Sequence, residues 1–288
     1  MRDVLDHLRQ AKQRELQHMT SLLFEEFDAA IRTGTQRWSK QGRILKVVLY
    51  GSYARGDWID DPVGGYRSDY DILIIVNDAR LTDFELCSAA KDRLMRETTI
   101  AKTLSAPVSL IVHSLREVNQ QLERGCPFFA DIVDQGVALY EAEGFHFAQP
   151  RDLTAAEAIL EAQQHSDYWM PLTLHACKLT ITNISDGVFR DAAFLFHQAT
   201  ERLYHCTLLT LSLYSPKSHR LNFLRSQCEQ IAPRLIAAWL RDNRFARRCF
   251  ELLRQAYVIA RYSSHYEISD VELRWLGERV EVLTEFVE

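Results

Sequence analysis

The spacing of apolar residues divides the chain into stretches of different secondary structure. Between residues 5 and 27 they recur three and four positions apart, which predicts an amphipathic helix. The spacing then changes, and short apolar runs predict buried strands at 44–50, 72–76, 108–112 and 137–140. Helical spacing returns in 82–104, and Ser114 and Glu117 have the spacing of a capping box that opens a further helix.

After Pro150 the strand patterns stop and helical patterns follow one another. They cover residues 154–183, 187–213, 219–231, 234–262 and 269–287. The last of them opens with a second capping box, formed by Ser269 and Glu272. An α/β half followed by an all-α helical bundle predicts the α+β fold class and two domains, residues 1–148 and 149–288.

Composition and charge exclude several classes of protein. Apolar residues make up 47% of the 288-residue chain, a proportion typical of a globular protein with full cores. The formal charge of −5 is not that of a strongly basic nucleic-acid binder, so an RNA partner would need a local basic patch. One concentration of arginines has aromatic neighbours at Trp239 and Phe245 that could stack on bases, although a solvated helix face is the ordinary explanation. It consists of Arg241, Arg244, Arg247, Arg248 and Arg254.

Neither the cysteines nor the apolar runs indicate secretion or a membrane. The six cysteines stand singly, without a CxxC pair or a histidine at zinc-ligand spacing, which favours reduced, buried thiols. The chain begins with a charged amphipathic stretch that does not have the pattern of a signal peptide. The most apolar run, 192–214, contains charged and histidine side chains and is expected in a protein core. We therefore expect a cytoplasmic protein with no membrane partner.

A glycine and a serine directly follow the first predicted strand. Gly51 lets the backbone come close to a ligand, and the helix that begins after it would offer free N–H groups to anionic oxygens. Ser52 adds a hydroxyl donor, and Arg55 could neutralise phosphate charge with its planar guanidinium. Gly51, Ser52 and Arg55 are therefore candidate nucleotide-binding residues, although a strand followed by Gly-Ser is often only a turn.

Two aspartates precede the second predicted strand. Asp69 and Asp71 are two positions apart, so their carboxylates lie on one face of the strand and Tyr70 on the other. Paired carboxylates at this distance can bind Mg²⁺ ions that bridge a triphosphate. Asp69 and Asp71 are therefore the candidate metal ligands and catalytic residues, the alternative being a solvated acidic loop.

The order of these features resembles the nucleotidyltransferase domain of the polymerase-β superfamily. The stretches 51–56, GSYARG, and 68–73, SDYDIL, are similar to the GSxARG and SDxDL signature of that family. The resemblance covers roughly residues 35–145 and implies a small mixed sheet. It also implies transfer of a nucleoside monophosphate from an NTP, expected to be ATP, to an acceptor in the presence of Mg²⁺, with release of pyrophosphate.

The sequence departs from that family at one position that matters for catalysis. The resemblance implies a third carboxylate on the next strand, where it helps to activate the acceptor hydroxyl, but residues 108–112 contain none. Glu141, Asp131 and the loop aspartates Asp57, Asp60 and Asp61 are alternative sources, and the sequence does not choose among them.

The helical half resembles a HEPN domain. The resemblance rests on residues 192–202, 257–262 and 265–268, and covers most of 150–288. It implies a homodimer formed through the helical domain and a site that includes Arg261, His265 and Tyr266. Ribonuclease members of this family have four to six residues between the arginine and the histidine, whereas three separate Arg261 from His265. His197 and His219 are expected to be packing residues.

Three functions are compatible with the sequence. The first is an Mg²⁺-dependent nucleotidyltransferase whose hydroxyl acceptor is held between the two domains. The second is a fused regulatory module of the toxin-antitoxin kind, in which a HEPN ribonuclease that cleaves RNA is controlled by the nucleotide-binding half. The third is a non-catalytic nucleotide-binding protein, which the missing carboxylate leaves open.

Overall fold

A computed structural model describes residues 1–2, 4–33, 36–61, 66–82, 84–263 and 265–287. The chain forms two compact units, Met1–Leu153 and Thr154–Glu288. Over the described residues, none of the helices combines the length and the apolar character that a membrane crossing requires.

The first unit contains both helices and strands. Its helices are α1 (Gln10–Thr33), α2 (Arg37–Lys40), α3 (Gly51–Arg55), α4 (Phe84–Arg96), α5 (Leu115–Arg124) and α6 (Pro127–Gln135). Its strands are β1 (Ile44–Tyr50), β2 (Asp60–Asp61), β3 (Tyr66–Arg67), β4 (Tyr70–Val76), β5 (Val108–Ser114) and β6 (Val137–Glu141). Short 3₁₀ and π-helical segments follow β4 and α4, at Ala79–Thr82 and Glu97–Ala101.

The four longer strands form one mixed sheet in the order β5-β4-β1-β6. Strand β1 is antiparallel to both β4 and β6, while β4 and β5 are parallel. This register places Tyr50 opposite Asp71, and Asp71 opposite Ser109. The predicted small mixed sheet is therefore confirmed, and the end of β1 lies beside the start of β4.

The core of the first unit lies between the sheet and α1. Every residue of β1 and β4 is buried, which explains why both read as continuous apolar runs. Leu16, Met19 and Leu23 on one face of α1 pack into the same core. The loop between β1 and β4, which carries the acidic residues, includes the short β2–β3 ladder, in which Asp60 pairs with Arg67.

The second unit is helical over the residues described. Its helices are α7 (Ala155–Ser185), α8 (Phe189–Ser212), α9 (Leu221–Ile231), α10 (Arg244–Ala256), α11 (Ile259–Tyr262) and α12 (Asp270–Val287). Helix α8 supplies much of the core, including Phe196, Leu203 and Tyr204. The capping boxes predicted at Ser114–Glu117 and Ser269–Glu272 are both present. The expected α+β fold class is confirmed.

The helix predicted over 234–262 is wrong as a single element. Pro233–Ala238 is a separate 3₁₀ helix, and Pro233 suits its start because the first N–H groups of a helix have no partner within it. Trp239 then adopts an extended conformation and is buried in the core. Asn243 begins α10 as its N-cap, since its side-chain oxygen accepts from the Ala246 N–H at 2.8 Å.

The two units meet five residues after the expected boundary at 148/149. The intervening segment belongs to the first unit because it is hydrogen-bonded to α5. Asn119 Oδ1 accepts from the Ala148 N–H, and the Leu122 carbonyl accepts from the Arg151 N–H, each at 2.9 Å. Thr154 then starts α7 through a capping box with Glu157.

Candidate functional site

The turn at Gly51 lies directly against Asp71. Gly51 has a φ of +70°, in the left-handed region that favours glycine. A Cβ atom at this position would lie 2.4 Å from Asp71 Oδ2, which is far inside van der Waals contact. Only glycine therefore allows the backbone at the end of β1 and the carboxylate at the start of β4 to approach this closely.

The two aspartates are fixed by different neighbours. Asp71 is completely buried beside Gly51, while Asp69 is partly exposed just before β4. The Ser109 hydroxyl, from the parallel strand β5, donates to Asp69 Oδ2 at 2.9 Å. The structure therefore brings Gly51, Asp69 and Asp71 together, and adds Ser109, which sequence reasoning missed.

Helix α3 is held at its C-terminal end by the start of the chain. Arg2 donates to the Ala54 carbonyl at 3.1 Å, and His7 Nε2 donates to the Tyr53 carbonyl at 2.9 Å. Ser52 is buried, and among the described residues its Oγ has no hydrogen-bond partner. A buried hydroxyl without a partner costs free energy, so this oxygen is suited to bind a ligand atom.

Aromatic side chains pack against Tyr53 of α3. The Tyr53 ring stacks on Trp58 at 5.3 Å and lies 4.3 Å from the Tyr70 ring, measured between centroids. Burial, together with the charges of Asp60 and Glu15, raises the pKa of Tyr53 to about 12. Its phenol is therefore neutral at physiological pH and acts as packing beneath the turn.

Arg55 and Asp57 form an exposed ion pair at the end of α3. Arg55 Nε donates to Asp57 Oδ2 at 3.1 Å, and both side chains are open to solvent. An ion pair of this kind is weak, so the guanidinium can exchange its partner for another anion at little cost.

Most of the alternative carboxylates are engaged elsewhere. Glu141 forms an ion pair with the fully buried Lys46, halfway along the neighbouring strand. Asp60 accepts from Arg67 at 2.8 Å. Asp131 lies on α6, which packs against α3, and the side chain of Asp61 lies outside the described part. The position on β5 beside Asp71 is held by Ser109 and carries no charge.

The donor set fits Mg²⁺ together with a polyphosphate better than an ion bound by the protein alone. In the part of the chain that the structure describes, no three Asp, Glu, His or Cys side chains form a metal-binding group. Mg²⁺ is commonly bound by one or two carboxylates, with water and substrate phosphates as its remaining ligands. Asp69 and Asp71 match that arrangement.

The second unit places its three candidate site residues differently. Arg261 is exposed, and its guanidinium carbon lies 4.8–5.0 Å from the ring centroids of Phe194, Tyr257 and Tyr262. His265 is also exposed, and its backbone N–H donates to Ser263 Oγ at 3.2 Å. Tyr266 is buried and donates to the Leu252 carbonyl at 3.0 Å, and burial raises its pKa.

Comparison with known families identifies the second unit. A family model described as "HEPN domain" matches residues 169–288. Residues 169–288 form a HEPN domain.

A curated relative is similar to part of the chain. It is a protein of Methanocaldococcus jannaschii named "Putative protein adenylyltransferase", 29% identical over 100 residues. The similarity covers 35% of this chain and 82% of that protein. Together the comparisons support a chain that joins a nucleotidyltransferase-like region to a HEPN domain.

A buried carboxylate in the HEPN domain was also missed by sequence reasoning. Glu201 Oε1 accepts a hydrogen bond from His219 Nδ1 at 2.8 Å. The Nε2 atoms of His197 and His205 lie 3.5 and 3.7 Å from the oxygens of Glu201. Burial raises the pKa of Glu201, but the hydrogen bond from His219 and the neighbouring rings of His197 and His205 outweigh it and hold the pKa well below its usual range. The spacing of His197, Glu201 and His205, four residues apart on α8, was the signal available in the sequence.

The arginine concentration of the HEPN domain is largely neutralised. Three of its members form ion pairs with carboxylates: Arg241 with Glu229, Arg248 with Glu272, and Arg254 with Glu251. Of the two aromatic neighbours, Trp239 is buried in the core and only Phe245 is exposed. The geometry therefore favours a structural role for this surface over an RNA contact.

Proposed function

We propose that this protein is a nucleotidyltransferase that moves a nucleoside monophosphate from an NTP, with ATP as the expected donor, to a hydroxyl acceptor. The observation that carries the proposal is the close approach of Gly51 to Asp71, with Asp69 beside it. A phosphate-binding turn and a pair of carboxylates are thereby adjacent. The name of the Methanocaldococcus relative, an adenylyltransferase, supports a nucleotide donor.

Each residue of the site has a defined task in this proposal. The backbone N–H groups after Gly51 and the buried Ser52 hydroxyl would donate to phosphate oxygens, and Arg55 would exchange Asp57 for a phosphate at the surface. Asp69 and Asp71 would hold Mg²⁺, which when bound supplies positive charge that stabilises the phosphates and the leaving pyrophosphate.

The transfer itself requires the acceptor oxygen to lose a proton. That oxygen attacks the α-phosphorus of the NTP. The bond between the α-phosphorus and the oxygen that bridges it to the β-phosphorus breaks, and pyrophosphate leaves. Because Ser109 occupies the position beside Asp71 on β5, no carboxylate of that strand accepts the proton. We therefore expect either slow transfer or a base from outside β5, such as Asp131 on α6 or a group of the acceptor.

The test is the effect of Mg²⁺ and ATP on the melting temperature of Asp69→Asn and Asp71→Asn. Ligand at one hundred times its Kd stabilises a folded protein by about 2.7 kcal/mol, which the wild-type chain should show only with both Mg²⁺ and ATP. Both variants should lose this stabilisation because the metal and the triphosphate bind together. Asp28→Asn, which changes a solvent-exposed aspartate of α1 that is none of the proposed ligands, is the control and should retain most of it.

Melting shifts in Asp69→Asn and Asp71→Asn that equal the wild-type shift would contradict the assignment of these aspartates as metal ligands. Replacing ATP by GTP, CTP and UTP in the same measurement gives the base preference. Incubation with ATP labelled at the α-phosphate and a cell extract separates transfer from binding alone. A normal melting shift without any labelled product would leave the chain as a non-catalytic nucleotide-binding protein.

A ribonuclease activity of the HEPN domain is the second candidate. It is favoured by one observation, the exposure of both Arg261 and His265. The Tyr266 hydroxyl is not accessible to a substrate, because the side chain is buried and the hydroxyl donates to the Leu252 carbonyl. Cleavage of a labelled RNA that disappears in Arg261→Ala and in His265→Ala, and that changes with ATP, would favour this regulatory function.

A further inference from the structure

Ser109 stands out among the residues of β5 because it is a buried polar group directed at the candidate metal site. Only 7% of its surface is exposed, and its neighbours Leu110 and Ile111 are apolar core residues. Its hydroxyl donates to Asp69 Oδ2 at 2.9 Å, a normal distance for a hydrogen bond to a carboxylate.

The two aspartates need different forms of support. Asp71 is inside the sheet, fully buried and packed against Gly51, so its carboxylate has little freedom. Asp69 precedes the strand and is partly exposed, so packing restricts its side chain less than that of Asp71. The bond from Ser109 ties one oxygen of the Asp69 carboxylate to β5.

We propose that Ser109 is a positioning residue that orients Asp69 for divalent cation binding. This inference rests on the proposed function and extends it to a residue on the neighbouring strand. Groups that hydrogen-bond to a metal-binding carboxylate commonly change metal affinity by 10–100-fold when they are removed. Ser109 contributes without touching the nucleotide or the reacting atoms.

The experiment measures the Mg²⁺ concentration at half-maximal melting shift, at fixed ATP, for the full-length chain. Ser109→Ala should raise that concentration about 10-fold, because Asp69 loses its orienting bond. Ser109→Thr keeps the hydroxyl and should stay close to the wild type. The same titration with MnCl₂ alone, without nucleotide, should show the same order of the variants.

A matched control separates orientation from general packing. Ser105 also donates to a carboxylate, Glu15 Oε2, at 2.7 Å, but that carboxylate lies on α1 and is not a candidate metal ligand. Ser105→Ala should lower the melting temperature without metal and leave the Mg²⁺ dependence unchanged. A purely structural role of Ser109 would give the same result for Ser109→Ala.

The outcomes distinguish this inference from the proposed function. A wild-type shift that stays unchanged in Ser109→Ala would overturn the role of Ser109 and leave the nucleotidyltransferase proposal intact. An equal loss in Ser109→Thr and Ser109→Ala would also overturn it, since the hydroxyl would then be irrelevant. A wild-type chain without any Mg²⁺-dependent shift would remove both.

Discussion

Gly51 is the residue whose conformation determines the geometry of the site. Its φ of +70° and its contact with Asp71 are two separate requirements for glycine. A non-glycine residue in the left-handed region costs about 1–2 kcal/mol. The added methyl group must also displace the buried Asp71 carboxylate.

We predict that Gly51→Ala lowers the free energy of unfolding by more than the cost of the left-handed backbone conformation alone. Gly144 is the matched control, because its φ is +83° and a Cβ there would meet nothing within 4 Å. Gly144→Ala should therefore show only the backbone cost, of about 1–2 kcal/mol. Urea denaturation of both variants measures the difference, and equal losses would mean that Asp71 moves aside freely.

At this scale the sequence indicated part of the candidate site. Gly51, Ser52, Asp69 and Asp71 were readable because each adjoins an apolar strand run. Ser109 could not be predicted as a neighbour of the aspartates, since a serine within an apolar strand belongs to no recognisable motif. Its position became known only when β4 and β5 were seen to be parallel neighbours in a particular register.

At the scale of elements, the strands were easier to predict than the helix ends. Fully buried strands such as β1 and β4 read as short, largely apolar runs, and their length and flanking turn residues distinguish them from buried helices. The stretch 234–262 kept helical spacing across a break, because buried Trp239 and the residues of α10 contribute to the same core. Periodicity records which residues are buried, and does not record where the backbone changes direction.

The N-cap of α10 gives a prediction that distinguishes the two descriptions of this stretch. If Asn243 caps a helix, as its bond from the Ala246 N–H indicates, Asn243→Ala should destabilise the protein by about 1 kcal/mol. In the middle of a continuous helix the same change would stabilise it, since alanine is the better helix former. Asn222→Ala, at an exposed position within α9, serves as the control.

At the scale of the whole molecule, each unit has its own hydrophobic core. The boundary could be predicted only to within a few residues, because the segment before Thr154 has the composition of a linker and is bonded to α5. The homodimer expected from the HEPN resemblance stays a prediction.

Acid stability of the molecule should depend on Glu201. Its pKa is held below the ordinary value of 4.5 in the folded state, so its stabilising effect is complete above that pH and is lost as the pH falls further. Glu201→Gln should therefore destabilise the protein at pH 7, by roughly 1.5–3 kcal/mol for a lost charged hydrogen-bond group. The difference from the wild type should narrow below about pH 4.

Urea denaturation across this pH range measures the effect. Glu251→Gln is the matched control in the same unit, because Glu251 pairs with Arg254 at the surface and its loss should cost under about 1 kcal/mol. A difference between wild type and Glu201→Gln that stays constant down to pH 3 would contradict the assigned role of the carboxylate.

The contact between Gly51 and Asp71 also limits the order in which a lineage could alter this site. While Asp71 is present, any larger residue at position 51 meets its carboxylate, so we expect a first substitution there to destabilise the fold. Loss of Asp71 would open the space, but it would first remove a candidate metal ligand. We therefore expect related chains that keep Asp71 to keep glycine at the position of Gly51, and related chains that lose Asp71 to vary at both positions.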